Sequence, residues 1–97
     1  MFVEKRIKKI ELITDCPSRF GTGGEGSCRF GYRYTLESRV FGISFKTEEV
    51  AKIGCETRII AVSSLMRSMK LNGVFSVEAF LKIDPYLRNW EGVANFN

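Results

Sequence analysis

The chain has 97 residues, of which 44% are hydrophobic and 27% charged, so we expect one folded domain spanning residues 1–97 and exclude a disordered protein. Its 15 basic and 11 acidic residues give a net charge of +4. This excess favours contact with nucleic acid, an acidic protein surface or an anionic membrane, and it does not select one of them.

Several absences narrow the class of protein. No apolar run approaches the roughly 18 residues that span a bilayer, so we predict no membrane partner. The basic N-terminus is not followed by the apolar segment of a secretory signal. Three cysteines, Cys16, Cys28 and Cys55, would leave one unpaired in an oxidising compartment. We therefore predict a cytoplasmic protein. Cys28 and Cys55 are expected to pack as small apolar residues. Cys16 and Cys28 bracket a Gly-rich segment and can meet across a strand pair, but in a reducing cytosol they would remain thiols.

The first segment, residues 2–14, fits two periodicities. Val3, Ile7 and Ile10 recur at helical spacing, whereas Ile10 and Leu12 alternate with their neighbours as in a strand. Turn-forming residues at 14–18 favour a strand over about residues 6–14, with a helix as the alternative.

Residues 15–27 are predicted to form a loop. Their glycines give the backbone too much freedom for a helix or a strand, and we expect the loop to be flexible. The glycines concerned are Gly21, Gly23, Gly24 and Gly26.

The clearest pattern is a β-hairpin at Cys28–Lys46. From residue 28 to 36, apolar residues alternate with polar ones, which predicts a strand with one buried face. A turn at 37–39 and a return strand over 40–46 complete the hairpin. The row predicted to lie in the core comprises Phe30, Tyr32, Tyr34, Phe41, Ile43 and Phe45.

A helix is predicted after the hairpin. Thr47 can cap its N-terminus, and Glu48 and Glu49 suit the positive end of the helix dipole. Two alternatives remain: one long helix, or a short helix followed by a strand at residues 57–62. Either ends before Gly73. The apolar stripe comprises Ala51, Cys55, Ile59, Val62, Met66 and Met69.

A last helix is predicted to begin after Ser76, whose hydroxyl can cap it, with Phe75 packing on Phe80. The dipeptide at 84–85, Asp-Pro, should break or restart this helix. We expect Trp90 to close the core, with a role as an interface anchor as the alternative. An extended tail follows from residue 92.

These elements predict an α+β fold, with a small three- to four-stranded, mainly antiparallel sheet and two or three helices packed on one face.

No catalytic residues, metal site or cofactor are predicted. Histidine is absent, which removes the commonest general base and the commonest zinc ligand. The motif G-x-G-x-x-G at Gly21–Gly26 precedes a strand, whereas dinucleotide binding requires a helix there.

The remaining candidate site is basic. Arg29 and Arg33 share the polar face of the first hairpin strand, and Lys46 is expected on the same face, with Arg39 at the turn. A first strand beside the hairpin would add a second cluster, which comprises Lys5, Arg6, Lys8 and Lys9. Such a face can hold phosphates, and an ordinary solvated face is the alternative interpretation.

Three functions follow from this reading. The leading hypothesis is a small non-enzymatic interaction protein, of the kind found as phage or mobile-element inhibitors, that binds a host protein or ribonucleoprotein through the basic hairpin face and the Gly-rich loop. The second is direct nucleic-acid binding by the basic sheet face. The third is a small enzyme that uses carboxylates or Cys16.

Overall fold

A computed structural model describes residues 3–16 and 28–96. Within these residues the chain is an α+β fold with one four-stranded antiparallel sheet and two helices. The strand order is β3-β2-β1-β4. In chain order the elements are β1 (Glu4–Asp15), β2 (Arg29–Val40), β3 (Ile43–Cys55), α1 (Arg58–Leu71), α2 (Val77–Leu87) and β4 (Gly92–Asn95). Neither helix is long and apolar enough to cross a membrane.

The strand prediction for the first segment is confirmed, and so is the extended segment after residue 92. β1 pairs with β2 along almost its whole length, from Glu4 opposite Arg39 to Asp15 opposite Arg29. β4 pairs with the other side of β1. The two alternating apolar residues Ile10 and Leu12 are buried, which explains why strand geometry is adopted.

The hairpin is present, but its turn is not at residues 37–39. β2 continues to Val40, and the turn consists of Phe41 and Gly42, whose φ angles are 53° and 77°. Two positive φ angles are what a two-residue type I′ turn requires. Glu37 and Ser38 remain in the strand because their polar groups are accommodated there: the Glu37 carboxylate has cationic partners, and Ser38 is buried opposite β1 and β3.

The segment that follows the turn is a strand as far as Cys55. The predicted helix start at residue 47, which the long-helix and the short-helix alternatives share, is therefore wrong. The strand alternative at residues 57–62 is also wrong, because α1 covers this segment from Arg58. Pairing with β2 overrides the helical pattern of Thr47–Glu49. The cap is instead Thr57, whose hydroxyl accepts a hydrogen bond from the backbone N–H of Ile60.

The predicted helix termini near residue 75 are confirmed. α1 ends at Leu71, and Gly73 follows with a φ of 72°. The Ser76 hydroxyl accepts from the backbone of Ala79, and the rings of Phe75 and Phe80 lie 5.6 Å apart. α2 differs from the prediction in one respect: it runs through Pro85 to Leu87 without a break.

The core includes side chains from α1, from α2 and from the face of β2 that carries its even-numbered residues. We call this face the tyrosine face (Phe30, Tyr32, Tyr34, Leu36 and Ser38). The Tyr32 hydroxyl lies 3.1 Å from the hydroxyl of Ser64 on α1. The Tyr34 hydroxyl is hydrogen-bonded to the hydroxyl of Ser68, which is also on α1. The prediction that Trp90 closes the core is confirmed, since this side chain is 1% exposed. Residues buried with them include Ile10, Leu12, Leu36, Ala61, Leu65, Met69, Ile83 and Ala94.

The apolar stripe predicted for the long helix is only partly buried. Cys55 and Met69 are buried, but Ala51 and Ile59 are exposed. The reason is that Ala51 belongs to a strand, and that α1 turns a different stripe, including Ala61 and Leu65, toward the sheet.

Cys16 and Cys28 are joined by a disulfide bond directly beyond the last β1–β2 pair, with their Cα atoms 4.1 Å apart. The prediction that these two residues can meet across the strand pair is confirmed. The expectation that they remain thiols, with Cys28 packing as a small apolar residue, is wrong in this structure. Strand pairing brings them together, because Asp15 lies opposite Arg29. The odd cysteine, Cys55, is free and buried. An unpaired thiol is thus kept from solvent, which weakens the argument from cysteine count against an oxidising compartment.

Candidate interaction surface

The two faces of β2 separate the basic residues that the sequence singles out. Arg29, Arg33 and Arg39 lie on the odd-numbered face, which we call the arginine face, because successive strand residues point to opposite sides. Lys46 lies opposite Ser38 and therefore on the tyrosine face. The prediction that Lys46 shares the face of Arg33 is wrong, because a bulge in β3 between Ser44 and Lys46 inverts the alternation.

The second basic cluster, on β1, is also divided between the two faces of the sheet. Arg6 lies opposite Glu37, and Lys9 lies opposite Thr35, so both are on the arginine face. Lys8 belongs there too, because its ammonium group lies 3.9 Å from the carboxylate of Glu37. Lys5 lies opposite Ser38 and is on the tyrosine face.

Arg33 is flanked by two carboxylates on the arginine face. Its guanidinium lies 3.2 Å from the carboxylate of Glu11 on β1 and 3.8 Å from that of Glu49 on β3. Exposed pairs of this kind contribute little to stability, but they neutralise the local charge. The centre of the arginine face is therefore not a basic surface, which the sequence pattern of β2 alone could not indicate.

A positive surplus remains nearer the hairpin turn. The carboxylate of Glu37, whose side chain is 12% exposed, has three cations around it: Arg6 at 3.5 Å, Lys8 at 3.9 Å and Arg39 at 3.9 Å. One carboxylate cannot balance three cations. The Arg39 Nε atom is buried without a hydrogen-bond partner, and another nitrogen of this guanidinium donates to the Gly42 carbonyl across the turn.

Lys5 and Lys46 add to this surplus from the tyrosine face. The ion pairs found among residues 3–16 and 28–96 include neither of them. We call these two residues and the three cations around Glu37 the basic collar (Lys5, Arg6, Lys8, Arg39 and Lys46). The carboxylates in the same part of the sheet are those of Glu4, Glu37 and Glu48.

Lys9 lies at the inner edge of the collar. With Lys8, Thr35, Thr47 and Asn95 it lines a shallow hollow of about 360 Å³ on the arginine face. Threonine hydroxyls and lysine ammonium groups are suited to a polar or anionic group. All of these side chains belong to strands of the sheet.

Beyond the collar the hairpin ends in exposed apolar side chains, which we call the apolar tip (Phe41, Ile43 and Phe45). They are 93%, 69% and 58% exposed, in that order. The prediction that these three residues lie in the core is wrong. The core residues of β1 and β2 end at Ile7 and Leu36, so the turn projects past the buried layer. The described part of the chain is correspondingly elongated, at 56 × 22 × 20 Å.

Phe41 has an unusual backbone for its residue type. Its φ of 53° lies in the left-handed region, where asparagine and glycine are preferred and a bulky side chain is an outlier. The sequence offers a weak signal for this turn, the Phe-Gly dipeptide between two β-branched residues. The stronger signal for such a turn is Asn-Gly or Asp-Gly, and this chain has neither here.

The Gly-rich loop cannot be placed against this surface, because Gly21, Gly23, Gly24 and Gly26 lie outside the described residues. Its two ends are fixed by the Cys16–Cys28 disulfide at the opposite end of β2 from the turn. The length of β2, 12 residues, separates those ends from the apolar tip by roughly 40 Å. Arg29 lies at the loop end of the strand, away from the basic collar.

The two adjacent carboxylates of Glu48 and Glu49 are not brought together. Glu48 and Glu49 are consecutive in a strand, so their carboxylates point to opposite faces of the sheet. The sulfur of Cys16 is held in the disulfide. Among residues 3–16 and 28–96, no group of three or more Cys, Asp or Glu side chains is placed to hold a metal ion.

Comparisons of the chain with protein-family models, with curated proteins and with solved structures find no match.

Proposed function

We propose that this protein is a non-enzymatic binding protein that inserts its apolar tip into an apolar pocket of a partner protein, with acidic groups of the partner facing the basic collar. The single observation that carries the proposal is Phe41, an aromatic side chain that is 93% exposed on a left-handed backbone. Neither core packing nor turn preference explains a phenylalanine there. Strained residues that persist on a surface are typical of binding sites.

The apolar tip has enough surface to drive binding. Burying a phenylalanine or isoleucine side chain contributes about 1.5–3 kcal/mol, and the tip exposes three such residues. Large side chains of this kind, packed into a pocket at the centre of an interface, usually carry most of the binding energy. Because the tip is a tight turn between paired strands, little conformational entropy is lost when it binds.

The basic collar determines which pocket is suitable. Its cations lie behind the tip on both faces of the sheet, so they would meet the rim of the pocket. A rim with aspartate and glutamate residues would attract them and speed association. A rim with lysine and arginine residues would repel them, which gives the interaction its selectivity.

Nucleic-acid binding is the second candidate, and the same tip favours it. Exposed Phe41 and Phe45 beside cations are the residue types on which single-stranded bases stack. The carboxylates beside Arg33 and Glu37 count against it, because phosphates would have to compete with them. We therefore rank a protein partner first.

The proposal extends to role and location. A tip that fills a pocket of a larger assembly suits an inhibitor of the phage or mobile-element kind, with a cytoplasmic host protein or ribonucleoprotein as its target. The exposure of Phe41, Ile43 and Phe45 leaves the tip accessible to such a target. Disulfide bonds are typical of oxidising compartments, so the oxidation state of Cys16 and Cys28 in the source cell tests the location.

Site-specific photocrosslinking tests the proposed function. A benzoylphenylalanine at position 41 is expected to form a covalent adduct with a protein in source cells. The same group at Leu81, an exposed position on α2, is the matched control and should not form this adduct. Excess wild-type protein should suppress the adduct, and excess Phe41→Asn protein should not.

Two outcomes would overturn the assignment to a protein pocket. If position 81 forms the same adduct as position 41, the contact is not made by the tip. If the adduct at position 41 disappears after nuclease treatment and contains no protein, the partner is a nucleic acid.

A further inference from the structure

We propose that two copies of this chain pair through the outer edge of β3, antiparallel and with Val50 opposite Val50, so that their sheets join into one. This inference is independent of the proposed function, because it uses the backbone edge of β3 around Val50 and not the apolar tip. β3 is the terminal strand of the sheet, and its outer edge has no partner strand in the part of the chain that the structure describes. Its residues from Ile43 to Gly54 are exposed or half-buried.

The edge has a defined stretch on which another strand can pair. Bulges interrupt β3 near Phe45 and near Gly54, and between them Lys46–Lys52 pair regularly with β2. Bulges and charges at a sheet edge limit indiscriminate aggregation. They also confine any pairing partner to the regular stretch, so the sequence of this stretch decides which strand fits.

That sequence is complementary to itself in one register. With Val50 opposite Val50, antiparallel pairing places Glu48 opposite Lys52 of the second copy, and it does so twice because the contact is symmetric. Each Glu49 faces an Ala51. Opposite charges that face each other across strands are favourable, and no like charges meet in this register.

Neighbouring registers are less suitable. Centring the pairing on Glu49 would place two glutamates opposite each other and Lys46 opposite Lys52. Like charges directly across a strand pair are destabilising. Centring it on Thr47 would pair Lys46 with Glu48, but the bulge near Phe45 would confine regular pairing to residues 46–48, whereas the register centred on Val50 keeps residues 48–52 in the regular stretch. The charge pattern and the bulges together therefore favour Val50 as the centre.

The geometry of the joined sheet is consistent with the rest of the fold. Paired residues share a face, so the tyrosine faces of both copies lie on the same side. Glu48, Val50 and Lys52 of both copies form one row on that side. The apolar tips then lie at opposite ends of the joined sheet, where each remains accessible.

Charge reversal with complementation tests the register. Sedimentation equilibrium of the purified protein is expected to show a dimer for the wild type. Glu48→Lys alone, or Lys52→Glu alone, sets like charges opposite each other twice and should raise the dissociation constant by roughly tenfold or more. An equimolar mixture of these two variants restores both opposite-charge pairs and should associate as a heterodimer.

Two controls separate this contact from others. Glu91→Lys makes the same charge change at an exposed residue outside the edge and should leave the dimer intact. Phe41→Asn should also leave it intact, because the tip is not part of the contact. The proposal would be overturned if the wild type is monomeric at all accessible concentrations. It would also be overturned if the two variants do not associate in the mixture. Neither result would bear on the proposed function, which is tested separately.

Discussion

Replacing Trp90 with alanine is expected to lower the free energy of unfolding by about 3–5 kcal/mol, a large part of the total for a domain of this size. The indole is 1% exposed, and its Nε1 atom donates a hydrogen bond of 2.6 Å to the Gly31 carbonyl on β2. It follows α2 and precedes β4, so it fixes the C-terminal elements to the centre of the sheet. Because the protein has one tryptophan, urea unfolding should be followed by circular dichroism.

Trp90→Phe is the matched variant that retains most of the apolar volume. It removes the indole N–H and leaves the buried Gly31 carbonyl without its donor, which should cost about 1–3 kcal/mol. If Trp90→Ala lowers the free energy of unfolding by less than Trp90→Phe does, the role assigned to Trp90 in the core is wrong. If the alanine variant does not fold at all, the phenylalanine variant still gives the value to compare.

Removing the disulfide is expected to have the second largest effect on stability. The Cys16–Cys28 bond closes a loop with a sequence separation of 12 residues, and such a loop restricts the unfolded chain by about 3 kcal/mol. The double substitution Cys16→Ser with Cys28→Ser should lower the urea midpoint accordingly. Wild-type protein treated with dithiothreitol should show the same shift.

Cys55→Ala is the control for the disulfide. Cys55 is free and buried, so its loss should leave the response to dithiothreitol unchanged. If reduction leaves the urea midpoint of the wild type unchanged, the disulfide does not stabilise the domain. If the Cys55→Ala protein loses its response to dithiothreitol, the cysteines are paired differently from this structure.

The fold was predictable where side-chain alternation matches burial. In β2, Tyr32, Tyr34 and Leu36 alternate with polar residues and are buried, so the strand could be identified from the sequence. The end of α1 and the start of α2 were also predictable, because Gly73 and Ser76 are local signals that require no knowledge of the fold.

β3 was not predictable from its own residues. Its hydroxyl and carboxylate residues, Thr47 to Glu49, suit a helix N-terminus, and an edge strand that is exposed along most of its length has no buried row to reveal it. Its conformation is determined by pairing with β2, a non-local interaction. Local propensity is a weak guide in such a segment.

The candidate site escaped prediction for two structural reasons. The bulge between Ser44 and Lys46 inserts one residue, and this moves Lys46 to the opposite face from Arg33. The partners of Arg33 and Glu37 come from β1 and β3, so the charge balance of the sheet depends on its register. The basic residues themselves were identified from the sequence, whereas the apolar tip was assigned to the core.

The substitution Phe41→Asn should raise the stability of the domain and weaken its binding to a partner. Phe41→Asn places a residue that favours a left-handed backbone in the turn, and it should raise the free energy of unfolding by about 0.5–1 kcal/mol. The same substitution removes the aromatic ring that we propose as the anchor. A gain in stability with a loss of binding would show that the phenylalanine is retained for contact with a partner.

The most direct test of the proposed function is the dissociation constant of the purified crosslinked partner for wild-type and Phe41→Asn protein, measured by calorimetry under identical conditions. Loss of a buried aromatic anchor predicts an affinity about thirtyfold weaker or more. The Leu81→Asn protein, altered at an exposed residue on α2, should bind like the wild type. Equal affinity of the wild-type and Phe41→Asn proteins would contradict the assignment of the apolar tip as the binding element.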